Sequence, residues 1–199
     1  GVFRQKYPDV SVQLQVHSTR RTGWSVANGQ IDLAIIGGQL PGDLENLLQV
    51  IPYATDELAL VLPPKHSLST KKELLKEDLY KLNFVTLDSQ STTRKVVDKL
   101  LQDSGLDIQR LKIEMELNSL EAIKNAVQSG LGASFLPVVS IERELSAGTI
   151  HKAFVADLEV KRELKLITNP SRYTSRASEV FKKNILPQFA SLESPLRHI

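Results

Sequence analysis

Residues 10–16, VSVQLQV, alternate apolar and polar side chains with period two, which predicts a strand with one buried face. Ahead of them, VFRQKYPDV sets Val2, Phe3 and Tyr7 before Pro8, the pattern of the last two turns of a helix that begins upstream of Gly1. RRTGWSVANGQI then reads as a helix closed by Asn28-Gly29, and DLAIIGG, residues 32–38, as a short buried strand of the parallel type. Residues 47–62, LLQVIPYATDELALVL, are strand-like throughout. Pro52 interrupts the first half and PYATDE the middle, which predicts a strand that passes from one sheet into another.

A polar loop with a short amphipathic helix, PKHSLSTKKELLKEDLYKLN, leads into a second series. It consists of strand 84–87, helix 92–103, strand 112–117, helix 120–129, strand 133–137 and helix 139–146. Gly130 and Gly132 punctuate the turn before 133–137, where a β-carbon would resist a left-handed backbone. Residues 150–170 give two more strand-like runs, the second returning to the first sheet. SRASEVFKKNILPQF predicts a last helix with Val180, Phe181, Ile185 and Leu186 near one face, followed by a polar tail. Strands alternating with helices place the chain in the α/β class, and two crossings between its halves imply a hinge.

Composition narrows the function classes. At 199 residues and 41% hydrophobic, the chain can form one large domain or two of about 100 residues. Twenty-five basic against 23 acidic residues, with a pI of 8.8, fall short of a nucleic-acid-binding surface, so this chain is not expected to bind DNA by itself. The absence of cysteine excludes disulfides, thiolate metal sites and cysteine nucleophiles, and suits a reducing compartment. No apolar run approaches the roughly 20 residues that span a bilayer, and the N-terminus lacks a signal peptide's apolar core, so the chain is expected to be soluble.

Two stretches repeat one chemical theme: VHSTRRTGW and, seventy residues on, LDSQSTTRKVV. Each runs from a strand-like segment through hydroxyl side chains into arginine at a helix start. The first N–H groups of a helix lack intrahelical acceptors and lie at the positive end of its dipole, so an anion there gains about 0.3–1 kcal/mol from the dipole alone. Ser18, Thr19, Ser89, Gln90, Ser91, Thr92 and Thr93 can add donors, and Arg20, Arg21 and Arg94 charge; His17 can donate to an anion or simply end a strand in a polar turn. The bland reading is equally open: Ser and Thr before a helix are standard caps worth about 1 kcal/mol, and a solvated arginine is common. LNSLEAIKNAVQSG offers a third corner in Asn118 and Ser119, with Glu121 placed to complete a cap; capping explains Asn118 as well as ligand contact does. Trp24 reads as core or subunit interface, and His66 as solvated. His151 and His198 have no companions at metal-ligand spacing, so no metal site is expected. No G-x-S-x-G, G-x-x-x-x-G-K-[ST], H-E-x-x-H or G-x-G-x-x-G motif is present, and the chain is not expected to be an enzyme. Ser18, His17 and Asp88 form a catalytic set only on paper.

VANGQIDLAIIGG, DELALVLPPKHSL, TLDSQSTTRKVVDKLL, IEMELNSLEAIKNAVQSGLGASFLP and ASEVFKKNILPQF, in this order and spacing, resemble the effector-binding domain of LysR-type transcriptional regulators over nearly the whole chain. QVHSTRR, FVTLDSQST and MELNSLEAIKNAVQSGLGASFLP look closest to the RbcR/CbbR-like subgroup that regulates the RuBisCO operon.

The resemblance implies two Rossmann-like α/β subdomains joined by two crossover strands, as in type 2 periplasmic binding proteins. Subdomain I would be 1–57 with 167–199, and subdomain II 58–166. A small effector would sit in the cleft between them, near the Asn118–Ser119 turn among others. It further implies that the winged helix-turn-helix, the linker helix and the first strand of subdomain I lie outside this chain. That strand usually ends in a hydroxyl residue facing the ligand, which would leave the pocket incomplete here. Expected effectors are ribulose 1,5-bisphosphate, 2-phosphoglycolate or NADPH, with no resident cofactor. Promoter DNA would be reached only through the missing N-terminal domain, and no membrane partner is expected. The assembly would be a homodimer or homotetramer in the cytoplasm, or in the plastid stroma if plastid-encoded. It would pair the helix of Trp24 and Val26 with that of Ile123 and Val127, stripes that core packing explains equally. A free-standing anion-binding protein is the alternative.

Overall fold

The computed structural model describes residues 1–190. In chain order its main elements are α1 (Val2–Lys6), α2 (Thr19–Ala27), β1 (Leu33–Ile36), α3 (Gly42–Glu45), β2 (Gln49–Leu62), β3 (Asn83–Leu87), α4 (Thr92–Asp103), β4 (Lys112–Leu117), α5 (Leu120–Gln128), β5 (Ser134–Pro137), α6 (Glu142–Ser146), β6 (His151–Ala153), β7 (Lys161–Thr168), α7 (Arg176–Asn184) and α8 (Pro187–Ala190). They form two units, one of residues 1–55 and 163 onward, the other of residues 56–162. Only β2 and β7 among these elements cross the boundary, which falls at 55/56 and 162/163 rather than at 57/58 and 166/167. Residues 165–168 pair with β1 and so belong with unit 1, while Asp56 and Arg162 are ion-paired to each other at 2.7 Å and Arg162 is bonded to Thr93 in unit 2. His198 and the polar tail lie outside the described residues.

In unit 1, α2 starts at the Ser18 cap and buries Val26 and Ala27 against Leu44, Leu48 and Ile167. A fully buried aliphatic side chain of this kind contributes about 1.5–3 kcal/mol. Phe3 of α1 meets Phe181 of α7 edge-on, with centroids 5.1 Å apart. β1 pairs antiparallel with β7, from Leu33 opposite Thr168 to Ile36 opposite Lys165, and Ile35 is exposed. It is therefore not the buried parallel strand its glycine-flanked apolar run suggests.

Residues 10–16 form no ladder at all, and Val12, Leu14 and Val16 are exposed. Alternation states which face a strand would bury, but a strand also needs a neighbour for its N–H and C=O groups. Here a groove of about 700 Å³ is lined by this segment, by residues 30–35 and by Ala177, Ser178 and Phe181 of α7, among others. β2, by contrast, is one continuous 14-residue strand, and Pro52 does not break it. Pro52 lies in its exposed first half, where a missing donor costs little.

Unit 2 is a three-layer sandwich. Along β2, Leu58, Leu60 and Leu62 face one layer with Phe84, Val97 and Leu101, while Val61 faces the other with Val85, Ile123 and Val127. Period two thus sends alternate residues to α4 on one face and α5 on the other. β3 pairs in parallel with β4, and β2 pairs antiparallel with β5 and β6. Gly130 has φ +85°, as its turn requires. Gly132 serves differently: a β-carbon there would lie 2.6 Å from the Asn83 carbonyl oxygen, so its role is close approach to β3. The helix expected at 139–146 is a 3-10 turn at Val138–Ser140 followed by α6, and that expected in the polar loop is a 3-10 turn at Lys76–Lys81.

Candidate functional site

Because β3 and β4 run in parallel with Leu87 opposite Leu117, their carboxyl ends finish at one edge of the sheet. The helix starts that follow therefore adjoin, and the Asp88 N–H donates to the Leu117 carbonyl at 3.0 Å. On the first turn, the Asp88 carboxylate accepts from the Gln90 N–H at 2.9 Å, and Ser91 caps α4 by accepting from the Arg94 N–H at 3.4 Å. On the second, Ser119 caps α5 by accepting from the Ala122 N–H at 3.1 Å. Ser89, Gln90 and Asn118 are exposed beside them, and Thr92 and Thr93 are half-buried. A serine that accepts through Oγ keeps its own proton for another acceptor, so capping and ligand contact do not compete here. The Asp88 carboxylate is the one negative group in the first turn.

Arg94 is neither solvated nor open. Its Nε lies 2.8 Å from both Asp98 oxygens, and its Nη1 reaches Thr86 Oγ1 at 2.6 Å, the Leu87 carbonyl at 3.3 Å and Glu116 at 3.4 Å. A forked side chain with two carboxylates against it is a crosspiece between α4, β3 and β4. The cavity of about 30 Å³ beside it, lined by Phe84, Ser134 and Phe135 among others, has room for a water and not for a metabolite.

The corner in unit 1 is built alike and stands by itself. Ser18 accepts from the Arg21 N–H at 3.4 Å, Thr19 is buried, and His17, Arg20 and Arg21 are exposed. The Arg20 and Arg21 guanidinium groups have no ion-pair partner among the described residues. His17 also lines the 700 Å³ groove, but no lysine or arginine does, so that groove is unsuited to an anion. Val26, Ile123 and Val127 are core residues of their own units, at 1% exposure or less, so the apolar stripes they form pack within the units; Trp24 on α2 is 36% exposed.

Sequence reasoning missed Arg162 and Asp56. Arg162 Nε and Nη2 both reach Asp56 Oδ2, at 2.8 and 2.7 Å, and Nη1 donates to Thr93 Oγ1 at 2.9 Å. An acidic residue opening the apolar run DELALVL was the available signal. Also missed was buried Lys124 of α5, which bonds Glu121, Glu144 and the Ser140 carbonyl at 2.8, 2.9 and 3.2 Å. Glu121 first, then Glu144, hold the Lys124 ammonium above its ordinary pKa. Glu121 thus serves an ion pair as well as standing in the first turn. Among the described residues, no group of three or more His, Asp or Glu side chains could hold a metal ion, and no helix is long and apolar enough to cross a membrane.

The model of the LysR substrate binding domain matches residues 1–190. The chain belongs to that family. Relatives within it carry the name "Probable RuBisCO transcriptional regulator": one from Trichormus variabilis is 62% identical over 191 residues, covering 96% of this chain and 57% of its own length. Another from Porphyra purpurea is 58% identical over 191 residues, covering 96% and 60%. The chain thus spans little more than half the length of the curated relatives it matches. The fold recurs in the regulatory domain of Synechocystis PCC6803 CcmR in complex with 2-PG, with TM-score 0.81 and 24% identity over 96% of this chain and 89% of that one. It recurs again in the effector binding domain of QuiR in complex with shikimate, with TM-score 0.77 and 19% identity over 95% and 87%. This LysR-family domain therefore has the type 2 periplasmic-binding-protein-like fold, and its relatives are regulators rather than enzymes.

Proposed function

We propose that this chain is the effector-sensing part of a LysR-type regulator of RuBisCO and carbon-fixation genes. A small phosphorylated anion is the effector; Ser89–Thr93 with Asn118 and Ser119 form its corner in unit 2, and Ser18, Thr19, Arg20 and Arg21 form an anion corner in unit 1. Arg94 contributes mainly by holding that second corner in shape. The observation that carries this reading is the parallel β3–β4 pair, which sets two serine-capped helix starts side by side, both with hydroxyl protons to give.

The names of the relatives favour regulation over a free-standing solute-binding protein. The CcmR complex makes 2-phosphoglycolate the first effector to try, ahead of ribulose 1,5-bisphosphate and NADPH. Contacts made in only one conformation would shift the population; moving it from 1:99 to 99:1 takes about 5.5 kcal/mol of differential affinity. The shift would be read out by a homodimer or homotetramer whose promoter contacts lie in the rest of the regulator, in the cytoplasm or the plastid stroma.

Isothermal titration of the chain with these three metabolites tests the reading. Saturable, salt-sensitive binding should weaken in the Arg20→Ala, Arg21→Ala variant and in Ser91→Ala. Equal affinity for wild type and both variants overturns it.

A further inference from the structure

Asp56 and Arg162 are the first and last residues of unit 2, one on each strand that crosses its boundary. The Asp56 carboxylate is 6% exposed, and a buried carboxylate persists only with a partner. Arg162 supplies it with two nitrogens, Nε and Nη2, both on the same oxygen. That grip fixes the guanidinium plane and aims the remaining nitrogen, Nη1, at Thr93 Oγ1, 2.9 Å away.

Thr93 is the second residue of α4. Its hydroxyl has one hydrogen, and with an oxygen lone pair taken by Arg162 that hydrogen must point elsewhere. No protein acceptor receives it among the described residues, and the Thr92 and Thr93 amides likewise find no backbone acceptor. A hydroxyl that accepts from a cation is polarised into a better donor. Three donors at the start of α4 are thus without a protein acceptor among the described residues, one of them held in place by Arg162 of β7.

We propose that Arg162, pinned by Asp56, is a positioning residue that turns the Thr93 hydroxyl into a donor for an anion at the start of α4. The inference rests on the anion-sensing reading above and adds the residue that presets its corner. It also ties occupancy of that corner to both strands through which the chain leaves unit 2.

A double-mutant cycle tests it, read by titration with 2-phosphoglycolate and checked for folding by thermal melting. Thr93→Val should weaken binding about tenfold, the size of one lost hydrogen bond to a charged group. Arg162→Gln should weaken it comparably. The pair should bind about as well as Thr93→Val alone, because Arg162 acts through Thr93. If Arg162 acted as a charge, its loss would add in full in the Thr93→Val background; that result, or wild-type affinity in Arg162→Gln, overturns the inference. Should Arg162→Gln not fold, Thr93→Ser decides. It must restore the affinity that Thr93→Val loses, and failure to do so is equally fatal. Ser91→Ala separates the two readings: weakened binding there with none in Thr93→Val or Arg162→Gln sinks this inference alone, whereas a wild type that binds no anion sinks both.

Discussion

Arg94 holds Asp98 one helical turn away, with Nε 2.8 Å from each carboxylate oxygen, and both side chains are at least three-quarters buried. An arginine in a first helical turn opposes the helix dipole, and Asp98 with Glu116 offsets that cost locally. Arg94→Ala should therefore lower stability by about 1–3 kcal/mol, since it strands a partly buried carboxylate. Urea unfolding checks this; an unchanged midpoint would mark the side chain as solvated after all.

Asp78 supplies a pH test. Its carboxyl is held well below the usual carboxylate range, chiefly by the Lys81 hydrogen bond, then by the Leu75 N–H and Lys71. A depressed pKa contributes stability above the unfolded value, and that contribution is lost as pH falls through the folded one. Asp78→Asn should thus be less stable than wild type at neutral pH, with the gap closing only below about pH 4. A gap independent of pH from 7 to 2 would refute the assignment.

Lys124 reports from the opposite end of the scale. Its raised pKa means stability fully present below the ordinary lysine value and lost as pH climbs past it. Lys124→Met should cost about 1–3 kcal/mol by leaving mostly buried Glu144 unpaired. Glu121→Ala should cost under about 0.5 kcal/mol, because Glu121 is 77% exposed. Thermal melts of the two variants rank them; the reverse order contradicts the geometry.

The 2.6 Å approach of a β-carbon at Gly132 to the Asn83 oxygen cannot be relieved by a side-chain rotation. Gly132→Ala should destabilise by about 1–3 kcal/mol, the usual range for overpacking. Gly130→Ala should cost about 1–2 kcal/mol through its left-handed backbone. Denaturant midpoints of the two single variants test both values.

The α/β series of unit 2 was legible because its apolar residues recur with strong, local periodicities; α4 and β4 begin and end where the apolar pattern does. Residues 10–16 were not, because pairing is a property of two segments and only one was read. Both serine-capped corners could be found from their hydroxyl runs. Asp98, four residues after Arg94, lay within a local reading, but Glu116 from β4 on Arg94 and Asp56 from β2 on Arg162 are brought in from elsewhere, and local pattern carries no trace of such partners.

The central claim is that the paired helix starts after β3 and β4 hold an anion, and amide-resolved NMR titration with 2-phosphoglycolate measures it most directly. The Thr92, Thr93 and Ser119 amides should shift together along one saturation curve with a single Kd. Unmoved amides there, or unrelated curves for them, would contradict the account.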